Sequence, residues 1–437
     1  MENKNIIGII GLGYVGLPLA SLARLKGFKV YGFDINASII EKVNNNESHI
    51  EDKSLKTLLA KLKKENKKIE ATDDFTKIKE CDFVFICVPT PVKENHMPDL
   101  TPVKSASESI AKNMRRGQCI VLESTVYPGV TEEVMIPILE KFSNLKAGID
   151  FDVAHCPERI DPGNKKWNVS NIPRVIGALT KDGLDKIAKV YSKIIDGEII
   201  KLSSIKAAEA VKIIENSFRD INIAFVNELA MSFDKFGIDI LEVIKGASTK
   251  PFAFMPHFPS CGVGGHCIPV DPYYLIQKAK DIGFEHKFLK LAREINNHMP
   301  DYTVKILENE MKKLKIRLRK ANVGILGMTY KENIDDLRES PAFKIAHLLK
   351  KKGANVFVFE PHVKNIRGLE KEKVETLDEF LSKAQYIIVA SPHKEFLQIP
   401  ANKFKDAGIK IIIDGKNKLA REDFKKEGIV YRGIGHN

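Results

Sequence analysis

What the chain lacks narrows it first. It has no apolar run long enough to span a bilayer. Its opening, MENKNIIGII, has neither the basic start nor the cleavage site of a secretion signal. A cytoplasmic protein with no membrane attachment is therefore expected. The six cysteines, at 81, 87, 119, 156, 261 and 267, show no paired spacing, which argues against a disulfide framework and suits a reducing compartment. Cys81, Cys87 and Cys119 lie inside apolar strand-like runs and read as small core residues. No aromatic residues interleave with the lysines of KLKKENKK or MKKLKIRLRK, so the net charge of +12 reads as solvated helix faces and no nucleic-acid partner is expected. The composition, 43% hydrophobic and 29% charged, is that of an ordinary globular protein; 437 residues exceed one core and imply two or three domains.

What is present begins with NIIGIIGLGYVGLPLASLARLKGFKVYGFDIN. A β-branched run turns at glycines and continues as an apolar-periodic helix. Gly27 ends that helix, and KVYGFDI reads as a second strand. Gly11, Gly13 and Gly16 form G-x-G-x-x-G in the strand-to-helix turn, with Leu12, Tyr14 and Val15 between them. In such a turn the first glycine permits the bend, the second lets a pyrophosphate approach the backbone, and the third lets helix and strand pack closely. The helix N-terminus then offers N–H groups to the phosphates. Asp34 ends the next strand, placed to accept from a ribose 2′-hydroxyl and to repel a 2′-phosphate, so NAD is expected over NADP. Runs at 82–88, 119–125 and 151–156 continue the strands of a doubly wound parallel sheet. PTP (89–91), STV (124–126) and PER (157–159) should then line the crevice at their carboxyl ends.

The final third repeats the scheme from NVGILGMTYKENIDDLRES onward: strand, turn, helix, glycine, strand and acidic residue. After Gly324 and Gly327 the third glycine is missing and Lys331 follows, which suits a nucleotide phosphate better than a second NAD. Between the copies, 206–237 reads as one long helix, apolar over most of its circumference and so expected to be buried between domains or subunits. Glu209, Lys212, Asn216 and Arg219 share one stripe of it. The fold expected is α/β: two Rossmann-like doubly wound parallel-sheet domains, 1–200 and 306–437, joined by a central helical domain, 201–305.

One loop in that central region, CGVGGHCIPVDPYYL, carries Cys267. Gly264 and Gly265 before it would let the backbone approach a substrate; Asp271 four residues later would order a water or a neighbouring ammonium. A thiolate nucleophile needs a positive charge, donors or a helix N-terminus nearby. Zinc at Cys261, His266 and Cys267 matches no common ligand spacing, so no metal is expected, and a His266–Cys267 hydrolase pair would not explain the dinucleotide fingerprint. A one-step hydroxyacid dehydrogenase would need no cysteine and no third domain. A non-catalytic nucleotide-sugar binder would bind without forming NADH. The combination of NAD domain, phosphate-binding copy and loop cysteine implies dehydrogenation through a thiohemiacetal and then a thioester.

Over nearly its full length the chain resembles the UDP-glucose/UDP-mannose (nucleotide-sugar) 6-dehydrogenase family. The resemblance rests on GLGYVGLP, VPTP, ESTVYPG, PERIDPG, AEAVKIIENSFRDINIAFVNE, GVGGHCIPVDPYYL and GMTYKENIDDLRES. It implies Cys267 as nucleophile, Lys212 and Asn216 as oxyanion donors, and Asp271, Glu158 and Thr125 around the hydrolytic water. It implies NAD held by Gly11 to Gly16, Asp34, Pro89, Thr90, Thr125 and Arg338. Glu158, Arg159, Lys212, Asn216, Gly264, Gly265, Lys331 and Lys416 would contact the UDP-sugar. Two positions depart from relatives. Lys416 stands where many have arginine, keeping the charge but losing the bidentate fork, and Lys250 stands where an arginine reaches the neighbouring subunit's substrate. PERIDPG with TKPFAFMPHFP and GVGGHCIPVDPYYL is most similar to the UDP-N-acetyl-D-glucosamine 6-dehydrogenase branch, with a homodimer built on the central helix.

Overall fold

The computed structural model describes residues 5–50, 52–91, 98–160 and 166–436. The chain forms two compact units: Met1–Glu215 with Tyr273–Phe284, and Asn216–Pro272 with Glu285–Asn437.

The first unit is built on an eight-stranded sheet: β1 (Ile6–Ile10), β2 (Lys29–Phe33), β3 (Glu70–Thr72), β4 (Phe83–Ile86), β5 (Cys119–Leu122), β6 (Asp152–His155), β7 (Arg174–Ala178) and β8 (Ile199–Lys201). Their order is β3-β2-β1-β4-β5-β6-β7-β8. The first six are parallel, in the order of a dinucleotide fold. Alternation puts Ile7, Ile9, Phe83, Phe85 and Val121 in one apolar layer and Ile10, Val84, Ile86, Ile120 and Leu122 in the other, so helices must cover both faces. The expected all-parallel sheet needs one correction: β7 runs antiparallel to β6, and β8 then pairs parallel to β7. These two short strands gave no clear signal, because β7 opens on a charged residue and β8 is three residues long.

The second unit carries β9 (Asn322–Leu326), β10 (Asn355–Phe359), β11 (Tyr386–Val389), β12 (Ile411–Asp414) and β13 (Val430–Gly433) in the order β10-β9-β11-β12-β13. Every pair is parallel. Two further apolar layers sandwich this sheet. The long helix Ile205–Phe236 matches the expected span, and its last part belongs to this unit with the helix Lys287–Lys313. Arg432 bridges the two helices to β13, reaching Asp234 and Glu310 at 2.6 Å each.

Candidate active site

In each sheet the strand order reverses beside the first strand, between β1 and β4 and between β9 and β11, where α/β sheets open a crevice. At the first crevice the glycine loop follows β1. Gly11 has φ +89° and its N–H donates to Phe33 O at 2.7 Å. A Cβ on Gly16 would come within 1.9 Å of Gly11 O, whereas a Cβ on Gly13 would meet nothing within 4 Å. Gly16 is thus required by packing, and Gly13 faces open space. Leu12 is buried, Val15 is half-buried and Tyr14 is exposed. No side chain caps the helix Gly16–Leu25, while Asn36 and Asp52 cap the next two helices. Half-buried Asp34 ties the loop down, accepting from Leu12 N at 2.9 Å and Asn36 N at 3.0 Å. Across the crevice Thr90 donates to Thr125 O at 2.8 Å, and Ser124 donates to Val88 O at 2.6 Å, so the loop carrying Pro89 is fastened to the end of β5. Tyr274 donates to Thr90 O as well. These residues fit a dinucleotide: an uncapped helix, an open glycine and an anchored carboxylate.

The second crevice is closed by protein. Thr329, Ser391 and His393, all buried, meet across it, with Thr329 Oγ1 3.3 Å from Ser391 Oγ and 3.4 Å from His393 Nε2. Glu360 ends β10 as Asp34 ends β2, and it accepts from Met328 N at 2.7 Å and from His393 Nε2 at 3.0 Å. Burial pushes its carboxyl up, but His393 and the backbone donors outweigh that and hold it below the ordinary range. His393 Nδ1 accepts from Asn333 N at 2.9 Å, which fixes the proton on Nε2. Lys331, on the loop after β9, and Lys416, just beyond β12, stand at the carboxyl edge of this sheet on either side of β11. Lys250 is exposed, its ammonium 4.8 Å above the Phe252 ring.

Of six free cysteines, five are buried, and burial pushes their thiols up, to about 12 for Cys81 and Cys119 and further for Cys87 and Cys156. Cys261 is raised in the same way. Cys267 alone is half-buried. Its carbonyl accepts from Val270 N at 3.0 Å and Asp271 N at 2.8 Å, so the loop turns directly into the helix Asp271–Asp281. Asp271 is 3% exposed, and its Oδ2 accepts from Asn216 Nδ2 at 2.5 Å. The glycines before Cys267 need a different explanation from substrate approach. A Cβ on Gly264 would sit 2.7 Å from Tyr330 Cβ and from Glu339 O, and one on Gly265 would strike the Tyr330 ring at 2.8 Å. Their smallness is required by packing on the segment after β9. Arg338 braces the same loop, its carbonyl accepting from Gly265 N at 2.9 Å. Its guanidinium is held by Asp336, with Nη2 donating to Oδ2 at 2.5 Å, and that pairing chiefly raises the arginine above its ordinary range.

The polar stripe of the long helix divides. Glu209 is buried and structural, accepting from Gly129 N at 2.5 Å and Thr131 N at 2.8 Å. Arg219 is exposed. Lys212, 9% exposed, has no hydrogen-bond or ion-pair partner among the described residues. Glu158 accepts from Arg159 N and Ile160 N at 2.6 and 2.7 Å, and its other oxygen lies 2.8 Å from Arg174 Nη2. Arg159 itself pairs with Glu215 and donates to Pro173 O at 3.0 Å. Asp161, Pro162 and Gly163 of the same motif lie outside the described residues. Fully buried Arg174, which the sequence reading missed, also faces Glu123 at 3.6 Å, and Tyr191 donates to Glu123. Its signal was a lone arginine opening an otherwise apolar strand. Among the described residues no group of His, Cys, Asp and Glu could hold a metal ion.

Family models match three successive segments: the NAD binding domain of the UDP-glucose/GDP-mannose dehydrogenase family over 5–195, its central domain over 206–298 and its UDP binding domain over 324–421. The chain belongs to that family. GDP-mannose stands in the family's description where UDP-mannose was expected. Protein CapL of Staphylococcus aureus is 41% identical over 94% of this chain and 96% of its own length. The UDP-N-acetyl-D-glucosamine 6-dehydrogenase of Pseudomonas aeruginosa is 40% identical over 92% and 94%. Among solved structures, the UDP-D-ManNAc dehydrogenase of Pyrococcus horikoshii superposes with a TM-score of 0.90 at 33% identity, covering 98% of this chain and 99% of that one. This family member is an NAD-dependent UDP-sugar dehydrogenase with two Rossmann-like sheets and a central helical region.

Two predictions follow from this geometry. Gly16→Ala forces a methyl onto Gly11 O and should cost about 3 kcal/mol or more, seen as a lowered Tm. Gly13→Ala should leave Tm unchanged and raise the KM for NAD on the order of tenfold, about 1.4 kcal/mol of binding. Equal Tm losses for both would refute the distinction. Glu123 is pushed up from 4.5 to about 7 by burial, which outweighs the Arg174 charge. Because folding raises it, the stabilisation from the neutral acid is full below about 4.5 and lost as pH rises through about 7. The stability advantage of wild type over Glu123→Gln should therefore fall by up to about 3 kcal/mol between mildly acidic and mildly alkaline pH. Paired melts showing a flat difference would contradict it.

Proposed function

We propose that this dehydrogenase oxidises the C6 hydroxyl of UDP-GlcNAc to a carboxylate, with Cys267 as nucleophile. The observation that carries the reading is the Cys267 turn: the one thiol that is not buried, on a loop braced by the Arg338 carbonyl and running into a helix whose first carboxylate is held by Asn216. NAD, when bound, is the oxidant: two molecules each accept one hydride from C6, so alcohol and water become carboxylate, two NADH and three protons. Gly11 to Gly16 would hold its pyrophosphate and Asp34 its ribose, while Pro89, Thr90, Thr125 and Arg338 would position the rest.

Cys267 adds to the C6 aldehyde, its thiol proton passing to the carbonyl oxygen, and keeps the carbon tethered through the second oxidation. Lys212 suits the stabilisation of a developing oxyanion, its side chain being largely buried and its ammonium without a partner among the described residues. Asn216 lies one helical turn further on and shares that task. Asp271, Glu158 and Thr125 direct the water that cleaves the thioester and returns the thiol. Lys331 and Lys416, at one sheet edge, take the UDP phosphates, with Arg159 beside the nucleotide-sugar.

The choice of UDP-GlcNAc is supported by the greater identity to the Pseudomonas aeruginosa relative than to the Pyrococcus horikoshii one, whose named sugar is UDP-ManNAc. That C2 epimer is the second reading; UDP-GalNAc and UDP-glucose complete the set. The uronate would serve glycan assembly. A reducing, cytoplasmic setting agrees with six free cysteines, and no helix among the described residues is long and apolar enough to cross a membrane. A homodimer through the long helix is supported by Ile214, Phe218 and Phe225, which stand exposed on it at 60%, 47% and 54%. Lys250 would then reach the partner's substrate.

Incubating the enzyme with NAD and each of the four UDP-sugars should give two NADH per uronate, fastest with UDP-GlcNAc. Cys267→Ser should lower four-electron turnover by at least about a thousandfold. Undiminished uronate formation by that variant would reject the thioester route, and light scattering showing only monomer would reject the dimer.

A further inference from the structure

Beyond the residues assigned above, a buried chain of hydrogen bonds ends on the Cys267 loop. Asn227 lies on the helix Ile205–Phe236 and is fully buried. Its Oδ1 accepts from Ser260 N at 2.8 Å, and its Nδ2 donates to Asn296 Oδ1 at 2.9 Å. Asn296 Nδ2 is committed to Asp220, at 2.8 Å from Oδ1 and 2.9 Å from the backbone oxygen. Arg293 Nη1 donates to the same Asp220 Oδ1 at 2.5 Å. Every member is buried: Asp220, Asn227, Ser260, Arg293 and Asn296. The amide orientation is therefore forced. A backbone N–H can only donate, so the Asn227 atom facing Ser260 is its oxygen, and the remaining amine must find an acceptor.

Ser260 opens the loop. Its hydroxyl donates to Gly262 O at 2.9 Å, and the next residue's N–H donates to Gly415 O at 2.7 Å. The loop closes at Asp271, held by Asn216. Asn216 and Asn227 thus tie the two ends of the Ser260–Asp271 segment to one helix, eleven positions apart and about 16 Å along its axis at about 1.5 Å per residue.

We infer that Asn227 is a positioning residue for Cys267, fixing the start of its loop through Ser260 so that the sulfur meets the aldehyde before the aldehyde leaves. This rests on the thioester reading above. The first oxidation uses no sulfur, whereas capture of the aldehyde does. Loosening the loop therefore separates the two oxidations instead of slowing both alike.

The test measures NADH, uronate and free aldehyde, trapped as its oxime, for the full-length enzyme with its preferred UDP-sugar. In Asn227→Ala, free aldehyde per turnover should rise about tenfold or more, the scale of one lost buried hydrogen bond, and NADH per sugar consumed should fall from two toward one. Ser260→Pro removes the N–H while leaving both helices intact, and it should leak in the same way if Asn227→Ala does not fold. Ser260→Ala keeps the N–H and should retain two NADH per sugar. A folded Asn227→Ala or Ser260→Pro that turns over slowly but still yields two NADH per sugar overturns the inference, since a merely structural role predicts that result. If wild type itself releases free aldehyde as its main product, or Cys267→Ser still forms uronate, the thioester reading fails instead.

Discussion

The site depends on a carbonyl. Cys267 O accepts from the N–H groups of Val270 and Asp271, and that pair of bonds converts a glycine-rich loop into the first turn of a helix. If Cys267 is the nucleophile proposed above, a flexible loop would keep it away from the reacting carbon most of the time, and effective concentration falls steeply with small misplacements. Here the flexible half of the loop is immobilised by packing, because Gly264 and Gly265 lie against Tyr330 with no room for a side chain. The stiff half, Ile268 to Val270, completes the turn. The burial of Asp271 would be costly without a donor, and Asn216 supplies one. Remove the turn and neither the sulfur nor the carboxylate keeps its place.

The same strand-turn-helix unit serves two different purposes in the two sheets, and the difference lies in what the acidic residue after the second strand does. Asp34 accepts one backbone N–H from the glycine loop and one from its own turn, and it stays half-buried beside an open crevice. Glu360 accepts the corresponding loop N–H, but His393 and the buried Thr329 and Ser391 fill the space beyond it. The loop after β9, which carries Lys331, is thereby fixed from below by the Glu360–His393–Asn333 chain. The first unit's helix is uncapped at its N-terminus, whereas the helix after β9 in the second, Pro341–Lys351, is capped by Ser340.

The fold was legible where periodicity was strong. Both βαβ starts, the long helix and the Cys267 loop stand where their patterns put them, since each is set by local glycine placement or by a sustained apolar repeat. Strands β7 and β8 were not legible, because a reversal of direction in a sheet is decided by tertiary pairing. The buried polar networks were hidden for a related reason. Arg174, Glu123 and Tyr191 are far apart in sequence, as are Asp220 and Arg293, and only folding brings opposite charges together. Gly264 and Gly265 show the limit from the other side: their need for smallness was readable, but the object pressing on them was Tyr330.

The long helix brings these strands of argument together, because its polar residues fall into three kinds although they look alike in sequence. Glu209, Asp220 and Asn227 are buried and fully engaged by protein donors or acceptors, as a buried group must be to avoid a desolvation cost of several kcal/mol or about that scale. Arg219 is exposed, and water satisfies it. Lys212 fits neither kind. It is nearly as buried as the structural residues, yet no carboxylate or carbonyl among the described residues meets its ammonium. Under the reading proposed above, its ammonium is left available to an oxygen that gains negative charge as the sugar reacts, and a donor already fixed in place would lower that barrier without reorganising.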